Sequence, residues 1–324
     1  MFEKVAVIGL GNIAVRHRRN LKFLYPDAYL YGMSASGRIP SEEVSDCDEI
    51  VSSVSELIQI GVELAIVASP APFHAEHSIE LINSGIPILI EKPLTVSLSD
   101  CELIHSAINN SHTPVAVGYC LRYLPSLMTL RDILDRKTIG TIYNAHVEIG
   151  QYLPDWRPNK CYKESVSANS ELGGGALNEL SHELDYAQLL FGALSVNHAV
   201  LRSSQELGLA VEDCVDIVAS NEDSALINIH LDFLQRSAYR RCRIVGSRGA
   251  LLLDLIKNEL VMTTENGSQV LFSEPSWDKN QMYLNMLRDF EAQIQGREHQ
   301  TVSVIEAMQS VALVQQVKDR FPIL

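Results

Sequence analysis

Residues 4–14 read Lys-Val-Ala-Val-Ile-Gly-Leu-Gly-Asn-Ile-Ala, and no other stretch constrains the chain as much. Lys4 to Ile8 is a short apolar run of strand character. It enters Gly9-Leu10-Gly11-Asn12-Ile13-Ala14, which opens a helix. The spacing is that of the dinucleotide-binding turn, G-x-G-x-x-G/A, with Ala14 in third place. Gly9 permits the tight turn, Gly11 lets backbone approach a pyrophosphate, and Ala14 allows close helix–strand packing. The free N–H groups at Asn12 and Ile13 and the helix dipole then face the anion. A second strand, Tyr29 to Met33, follows at the expected distance. Ser34 falls where an NAD-selective site usually places Asp or Glu on the ribose hydroxyls, and Arg38 comes four residues later. A hydroxyl and a cation in place of a carboxylate favour a ribose 2′-phosphate, hence NADP(H) over NAD(H).

The rest of the first third repeats the same unit. Strands are expected at Val5–Ile8, Tyr29–Met33, Leu64–Ala68, Ile86–Ile90 and Val115–Gly118, with helices at 12–24, 41–51, 54–59, 72–84 and 99–109. Alternating βα units predict a doubly wound parallel sheet. The runs at 65–68 and 86–90 are apolar throughout, as strands covered on both faces are. After residue 121 the pattern changes. A helix at Pro125–Asp135 leads into a strand at Thr141–Gln151, an aromatic and polar loop, and a Gly-rich helical run at 173–191. Strand-like segments then follow at 197–203, 214–220, 225–233, 240–245, 250–255, 259–264 and 269–272. Arg248-Gly249 and Asn266-Gly267 suit hairpin turns. Helices at 278–295 and 303–318 close the chain. The expected fold class is therefore α/β: a Rossmann domain over 1–121, then an α+β domain over 122–324 with a large, mostly antiparallel open sheet. The last helix is expected to pack back on the first domain.

Composition narrows the partners. The 324 residues are 46% hydrophobic and 20% charged, which is ordinary for a globular chain. A net charge of −14 argues against nucleic acid or an anionic membrane surface as the main partner. Arg16, Arg18 and Arg19 run against that balance. They read first as a solvated helix face and second as an attraction for phosphate. No apolar run reaches the roughly 20 residues of a membrane span, and the sequence opens on a strand rather than a signal peptide, so a cytoplasmic protein is expected. The six cysteines have no CxxC spacing, and His74 and His77 share a helical face without an HExxH motif. Reduced thiols and no metal are expected.

Three constellations could carry chemistry. Glu91-Lys92-Pro93 follows the fourth apolar strand, and Ser69-Pro70 with His74 follows the third, at the sheet edge where open α/β folds bind ligands. Gly173-Gly174-Gly175 precede a helix on which Glu179, His182 and Asp185 recur every three residues and so share a face. Carboxylates beside a histidine can fix its tautomer and raise its basicity. Tyr152, Trp156, Arg157, Tyr162 and Lys163 mix aromatic faces with cations, which suits a sugar ring bearing a carboxylate or phosphate; a plain packed loop anchored by Trp156 fits the same residues.

Taken together, GLGNIAVRH, SPAPFH at 69–74, EKP at 91–93 and GGGALNELSHELDY at 173–186 resemble the glucose–fructose oxidoreductase/inositol dehydrogenase (Gfo/Idh/MocA) family over nearly the whole chain. The resemblance implies hydride transfer between a nicotinamide cofactor and a secondary alcohol or ketone of a carbohydrate-type substrate. It matches Lys92 to the lysine that touches nicotinamide side and substrate hydroxyl, and His182 to the acid/base histidine. Glu179 stands where members usually carry Asp, three residues before His182; a spacing of four selects Asn178 instead. Whether Glu179, Asn178 or Asp185 supports His182 stays open. A non-catalytic sensor of NADP(H) or a sugar is the rival from another class, since pure binding needs neither Lys92 nor His182. Reduction of a C=N or C=C bond, or internal redox on a tightly held cofactor, is a third reading. A broad, thinly covered sheet favours a homodimer or homotetramer.

Overall fold

The computed structural model describes residues 2–324, which divide into two compact units. The first comprises the chain up to Tyr119 together with Tyr283–Val311; the second comprises Cys120–Met282 and Ala312–Leu324.

In the first unit, β1 (Lys4–Ile8), α1 (Asn12–Leu24), β2 (Tyr29–Met33), β3 (Glu49–Val51), α2 (Val54–Ile60), β4 (Leu64–Val67), α3 (His74–Asn83), β5 (Ile88–Ile90), α4 (Leu98–Ser111) and β6 (Val115–Val117) follow in turn. The six strands are parallel, in the order β3-β2-β1-β4-β5-β6. The order reverses between β1 and β4, and the crevice outside their carboxyl ends is where such sheets take ligands. β4, β5 and β6 are buried at every position. Ala6, Ile8, Ile88, Ile90 and Cys101 share one core with Val302, Val304, Ala307 and Val311 from the returning segment.

The helix expected over 41–51 does not form. Residues 41–48 are irregular, and Glu49–Val51 becomes β3 against Tyr31–Met33. The segment has no apolar stripe to bury: Val44 is half-buried and Ser41, Glu42, Glu43, Ser45 and Asp46 are exposed. Its polar groups are tied down instead. The Arg18 guanidinium donates to the Ser45 carbonyl at 2.8 Å, Arg19 pairs with Asp46 at 3.0 Å, and Lys22 pairs with Asp48. Arg18 is buried, and Arg16 lies over the Tyr283 ring at 4.6 Å. The basic side of α1 is thus engaged with neighbouring protein groups, not a simple solvated face.

The second unit contains α5 (Pro125–Asp135), β7 (Ile142–Gly150), α6 (Ala176–Glu179), α7 (His182–Phe191), β8 (Ser195–Arg202), β9 (Cys214–Ser220), β10 (Leu226–Asp232), β11 (Tyr239–Gly246), β12 (Gly249–Asp254), β13 (Glu259–Thr264) and β14 (Gly267–Ser273); α8 (Gln281–Ile294) and α9 (Val304–Arg320) follow. Eight strands form one sheet in the order β14-β13-β12-β11-β7-β10-β9-β8, antiparallel except for β7 with β10. Both expected hairpins are present. Along β9 and β10 burial alternates. Val215, Ile217, Ile227 and Ile229 are buried, whereas Asp216 and Leu226 are exposed. One sheet face is therefore packed and the other open.

Two ion pairs hold α7 within this unit. Arg240 on β11 meets Glu183 with bonds of 2.6 and 2.9 Å, and Arg122 meets Asp185 with bonds of 3.0 and 2.7 Å. Glu183 is fully buried, so losing its partner strands a charge. Arg240→Met is expected to cost about 3–5 kcal/mol in urea unfolding, and adding Glu183→Leu should restore most of it. A loss below about 1 kcal/mol for the single variant would remove the ion pair from the list of fold determinants.

Candidate active site

In the first unit, the turn between β1 and α1 is built by close backbone approach. Gly9 has φ +117°, its N–H donates to the Met33 carbonyl at 2.7 Å, and a Cβ there would collide with the carbonyl of Ala68. Gly9 thus locks β1 to the ends of β2 and β4. Gly11 is different: a Cβ there would meet nothing within 4 Å. It caps α1, whose start has no side-chain cap and no acidic residue in its first turn. Uncapped N–H groups beside open space fit a pyrophosphate. Ala14 is fully buried, as the third position requires.

At the carboxyl end of β2, Ser34 and Arg38 share one turn. The Ser34 hydroxyl donates to the Arg38 carbonyl at 2.7 Å, and the Gly37 N–H donates to the Ser34 carbonyl. The hydroxyl expected to face a ribose phosphate is thus engaged in shaping the turn. The Arg38 side chain is exposed and makes no hydrogen bond or ion pair among the described residues.

Lys92 is half-buried and follows β5. Its backbone N–H donates to Glu91 Oε2 at 3.0 Å, while Glu91 Oε1 lies 2.6 Å from His17 Nε2 on α1. Both partners of that pair are buried. Burial alone would raise the Glu91 carboxyl, but the His17 hydrogen bond and charge, with Lys92, outweigh it and hold the group below the usual range. Glu91, expected to contact the cofactor, is instead the post that fixes the Lys92 backbone to α1. His17 is one residue that the sequence pattern did not single out. The signal was its place: it falls three residues after Ala14 and four before Leu21, on the buried stripe of α1, where a polar side chain needs a partner.

His74 is corrected in the same way. It is buried, with Nε2 2.8 Å from the Ser69 carbonyl and Nδ1 3.1 Å from the carbonyls of Pro93 and Leu94. Burial pushes its pKa down. It braces the loop after β4 against the loop after β5 and leaves neither nitrogen for a ligand. The Ser69 hydroxyl sits 2.9 Å from His77 Nδ1, and Pro70 opens the short turn before α3.

In the second unit, the three glycines are required by backbone conformation and packing: Gly173 has φ +80°. A Cβ on Gly174 would lie 2.5–2.8 Å from the carbonyls of Val166, Ser167 and Asn169, and Gly175 has φ +103° against Glu212. Glu212, also missed from sequence, is buried and accepts the Leu177 N–H at 3.2 Å at the start of α6. The single helical face expected for Glu179, His182 and Asp185 is broken, because α6 ends at Glu179 and α7 begins at His182. Glu179 accepts from the Ser167 hydroxyl at 3.1 Å, and Asp185 is taken up by Arg122. The Asn178 amide, the alternative support for His182, donates to the Gly173 carbonyl at 3.0 Å and braces the turn. His182 is half-buried on the first turn of α7, with Glu183 and Asp185 both clamped beside it.

The 152–162 loop surrounds a cavity of about 450 Å³ lined by Trp156, Arg157, Lys160, Tyr162, Ser165 and Ser167, among others. Trp156 packs edge-on to Phe233, and its buried indole N–H has no partner among the described residues. Tyr162 donates its hydroxyl to the Leu207 carbonyl at 3.1 Å. Tyr152 is not part of this wall; its ring lies 3.8 Å beneath the Arg236 guanidinium.

Comparison with known proteins agrees with this architecture. Residues 3–119 match the model of the oxidoreductase family with NAD-binding Rossmann fold, and residues 127–252 match the GFO/IDH/MocA C-terminal domain. The chain is 24% identical to a myo-inositol 2-dehydrogenase of Thermotoga maritima, covering 93% of this chain and 90% of that one. It is also 24% identical to a glucose-6-phosphate 3-dehydrogenase of Bacillus subtilis, over 70% and 67%. Among solved structures, a levoglucosan dehydrogenase in complex with NADH superposes with a TM-score of 0.83 at 17% identity, covering 98% and 96%. A UDP-N-acetylglucosamine 3-dehydrogenase from Acidithiobacillus ferrooxidans gives 0.80 at 17%, covering 99% and 98%. No helix among the described residues is long and apolar enough to cross a membrane. With its parallel Rossmann sheet, its eight-stranded open sheet and both family models matched, the chain belongs to the Gfo/Idh/MocA oxidoreductases, a family of NAD-binding dehydrogenases.

Proposed function

We propose that this protein interconverts a secondary alcohol and the corresponding ketone on a sugar or sugar derivative, using NADP(H) in preference to NAD(H). The observation that carries the reading is the rigid mounting of its two candidate catalytic side chains. Lys92 stands on a backbone fixed by the buried Glu91–His17 pair, and His182 on a helix held by two buried carboxylates with arginine partners. Pure binding gives no reason for so much charge beneath one lysine and one histidine.

In this reading the start of α1, with Gly9, Gly11, Asn12 and Ile13, holds the pyrophosphate of the dinucleotide. When bound, the nicotinamide supplies the hydride acceptor or donor. A ring nitrogen of His182 takes the proton from the substrate hydroxyl as the C–H bond breaks, and returns it in the reverse direction. The Lys92 ammonium donates a hydrogen bond to the reacting oxygen and stabilises the alkoxide charge that develops there. Glu179 and Asp185 act through the turn and helix that carry His182. The cavity at Trp156, Arg157 and Tyr162 receives a distal part of the substrate, where the indole N–H and the guanidinium suit an oxygen-rich or anionic group. That glucose-6-phosphate and inositol dehydrogenases are among the relatives supports a polyhydroxylated substrate. The exposed apolar side chains Val200, Leu226 and Leu252 of the eight-stranded sheet support self-association as a homodimer or homotetramer.

The cofactor preference rests on Arg38, an exposed cation at the end of β2 where no carboxylate stands to repel a phosphate. A hydrogen bond to a charged group is worth about 1.5–3 kcal/mol. Arg38→Ala is therefore expected to weaken NADPH binding roughly 10- to 150-fold in a fluorescence titration, with little change for NADH. Equal weakening of both would dismiss the preference. For the chemistry, His182→Ala should lower turnover by about 10²–10⁴-fold on whichever sugar or keto-sugar the wild type accepts in a cofactor-coupled screen, with cofactor binding unchanged. Undiminished turnover would take the proton-transfer role away from His182.

A further inference from the structure

The open face of the eight-stranded sheet carries a group of donors that the dehydrogenase reading does not use. Cys214 and Asp216 are two residues apart on β9 and so point to the same face. Across the antiparallel pairing, His230 of β10 lies directly opposite Asp216, and Asp232 opposite Cys214. One ligand atom each from Cys214, Asp216 and His230 can be chosen so that all three lie within 4.8 Å of one another. Val215 and Ile217, on the other side of β9, are buried, so the group is on the face away from that packing.

We propose that Cys214, Asp216 and His230 form a zinc-type cation site, with Asp232 as the carboxylate that orients the histidine. His230 Nε2 is 2.9 Å from Asp232 Oδ2, and Nδ1 is 2.8 Å from Asp216 Oδ1. An ion seated between Nδ1, the Asp216 oxygen and the Cys214 sulfur replaces the Nδ1 proton, while Nε2–H continues to donate to Asp232. This is the carboxylate–histidine–metal arrangement that fixes tautomer and ring orientation at many metal centres. Asp232 is itself built in. Its Oδ1 accepts the backbone N–H groups of Leu234 and Gln235, both at 2.7 Å, and a Cβ on the facing Gly150 of β7 would collide with its Oδ2.

The donor set selects the ion. Thiolate, imidazole and carboxylate together suit Zn²⁺ and its surrogate Co²⁺, whereas Mg²⁺ and Ca²⁺ prefer oxygen alone. Bond lengths of about 2.0 Å to nitrogen or oxygen and 2.3 Å to sulfur put tetrahedral ligands roughly 3.3–3.5 Å apart, so Nδ1 and Asp216 Oδ1, now 2.8 Å apart, separate slightly to admit the ion, and every separation stays within the 4.8 Å that now spans the three donors. A fourth position remains for water beside the exposed Asp216. Arg202, opposite Cys214 on β8, and Glu148, opposite His230 on β7, add one charge of each sign nearby.

Metal-stripped full-length protein titrated with Co²⁺ tests this without any substrate. One Co²⁺ per chain with a thiolate-to-cobalt charge-transfer band, displaced by one equivalent of Zn²⁺, is the expected result. Cys214→Ser should abolish the band. Asp216→Asn, whose side chain is exposed and whose replacement leaves the core intact, should weaken binding at least 10-fold, and Asp232→Asn by about 10–100-fold. Absence of the band, its survival in Cys214→Ser, or unchanged affinity in Asp216→Asn would each overturn the site.

Discussion

The buried carboxylate of Glu91 is the constraint around which the first unit is arranged. A charge in that position is tolerable only with a partner and hydrogen bonds, and the structure supplies His17 from α1 and the Lys92 N–H. The pair therefore ties the helix that begins at the dinucleotide turn to the segment that carries Lys92. Gly118 completes the arrangement from β6, since a Cβ there would lie 3.1 Å from the Glu91 carboxyl carbon. His74 does related work one loop away with three backbone carbonyls. Neither residue needs to touch a ligand to matter, because each sets where a neighbour stands.

The second unit solves the same problem with arginines. Glu183 and Asp185 follow His182 on α7, and each is matched by a guanidinium that offers two parallel N–H donors. The glycine turn before α6 is closed by Glu212 and Asn178. Polar side chains that look like ligands in a linear reading thus become the mounting of a few others.

What was legible in the sequence follows from the range of the interaction. The parallel sheet, the open antiparallel sheet and the Gly9–Ala14 turn are written in local patterns of period two, period 3.6 and glycine placement. The three-residue strand β3 was not, because Glu49-Ile50-Val51 is too short to show alternation and its neighbours carry charge that α1 claims. His17, Arg122, Arg240 and Glu212 escaped because their partners lie far along the chain: Glu91 is 74 positions from His17, and Arg122 is 63 from Asp185. The Cys214–Asp216–His230 group escaped because a search for CxxC or HExxH spacings looks along one element, whereas these donors meet across two strands.

The composition of the first unit also bears on how the chain can be assembled as it is made. Val302, Val304, Ala307 and Val311 belong to the same core as β1, β4 and β5, and Val302 bridges to Val117 of β6. A nascent chain that has emerged only to Tyr119 has all six strands of the Rossmann sheet but lacks that part of its packing. The Rossmann unit therefore begins first but closes late: Cys120–Met282 of the second unit is synthesised before Tyr283–Val311 leaves the ribosome, the second unit's own Ala312–Leu324 comes later still, and co-translational folding cannot proceed as two independent blocks in sequence.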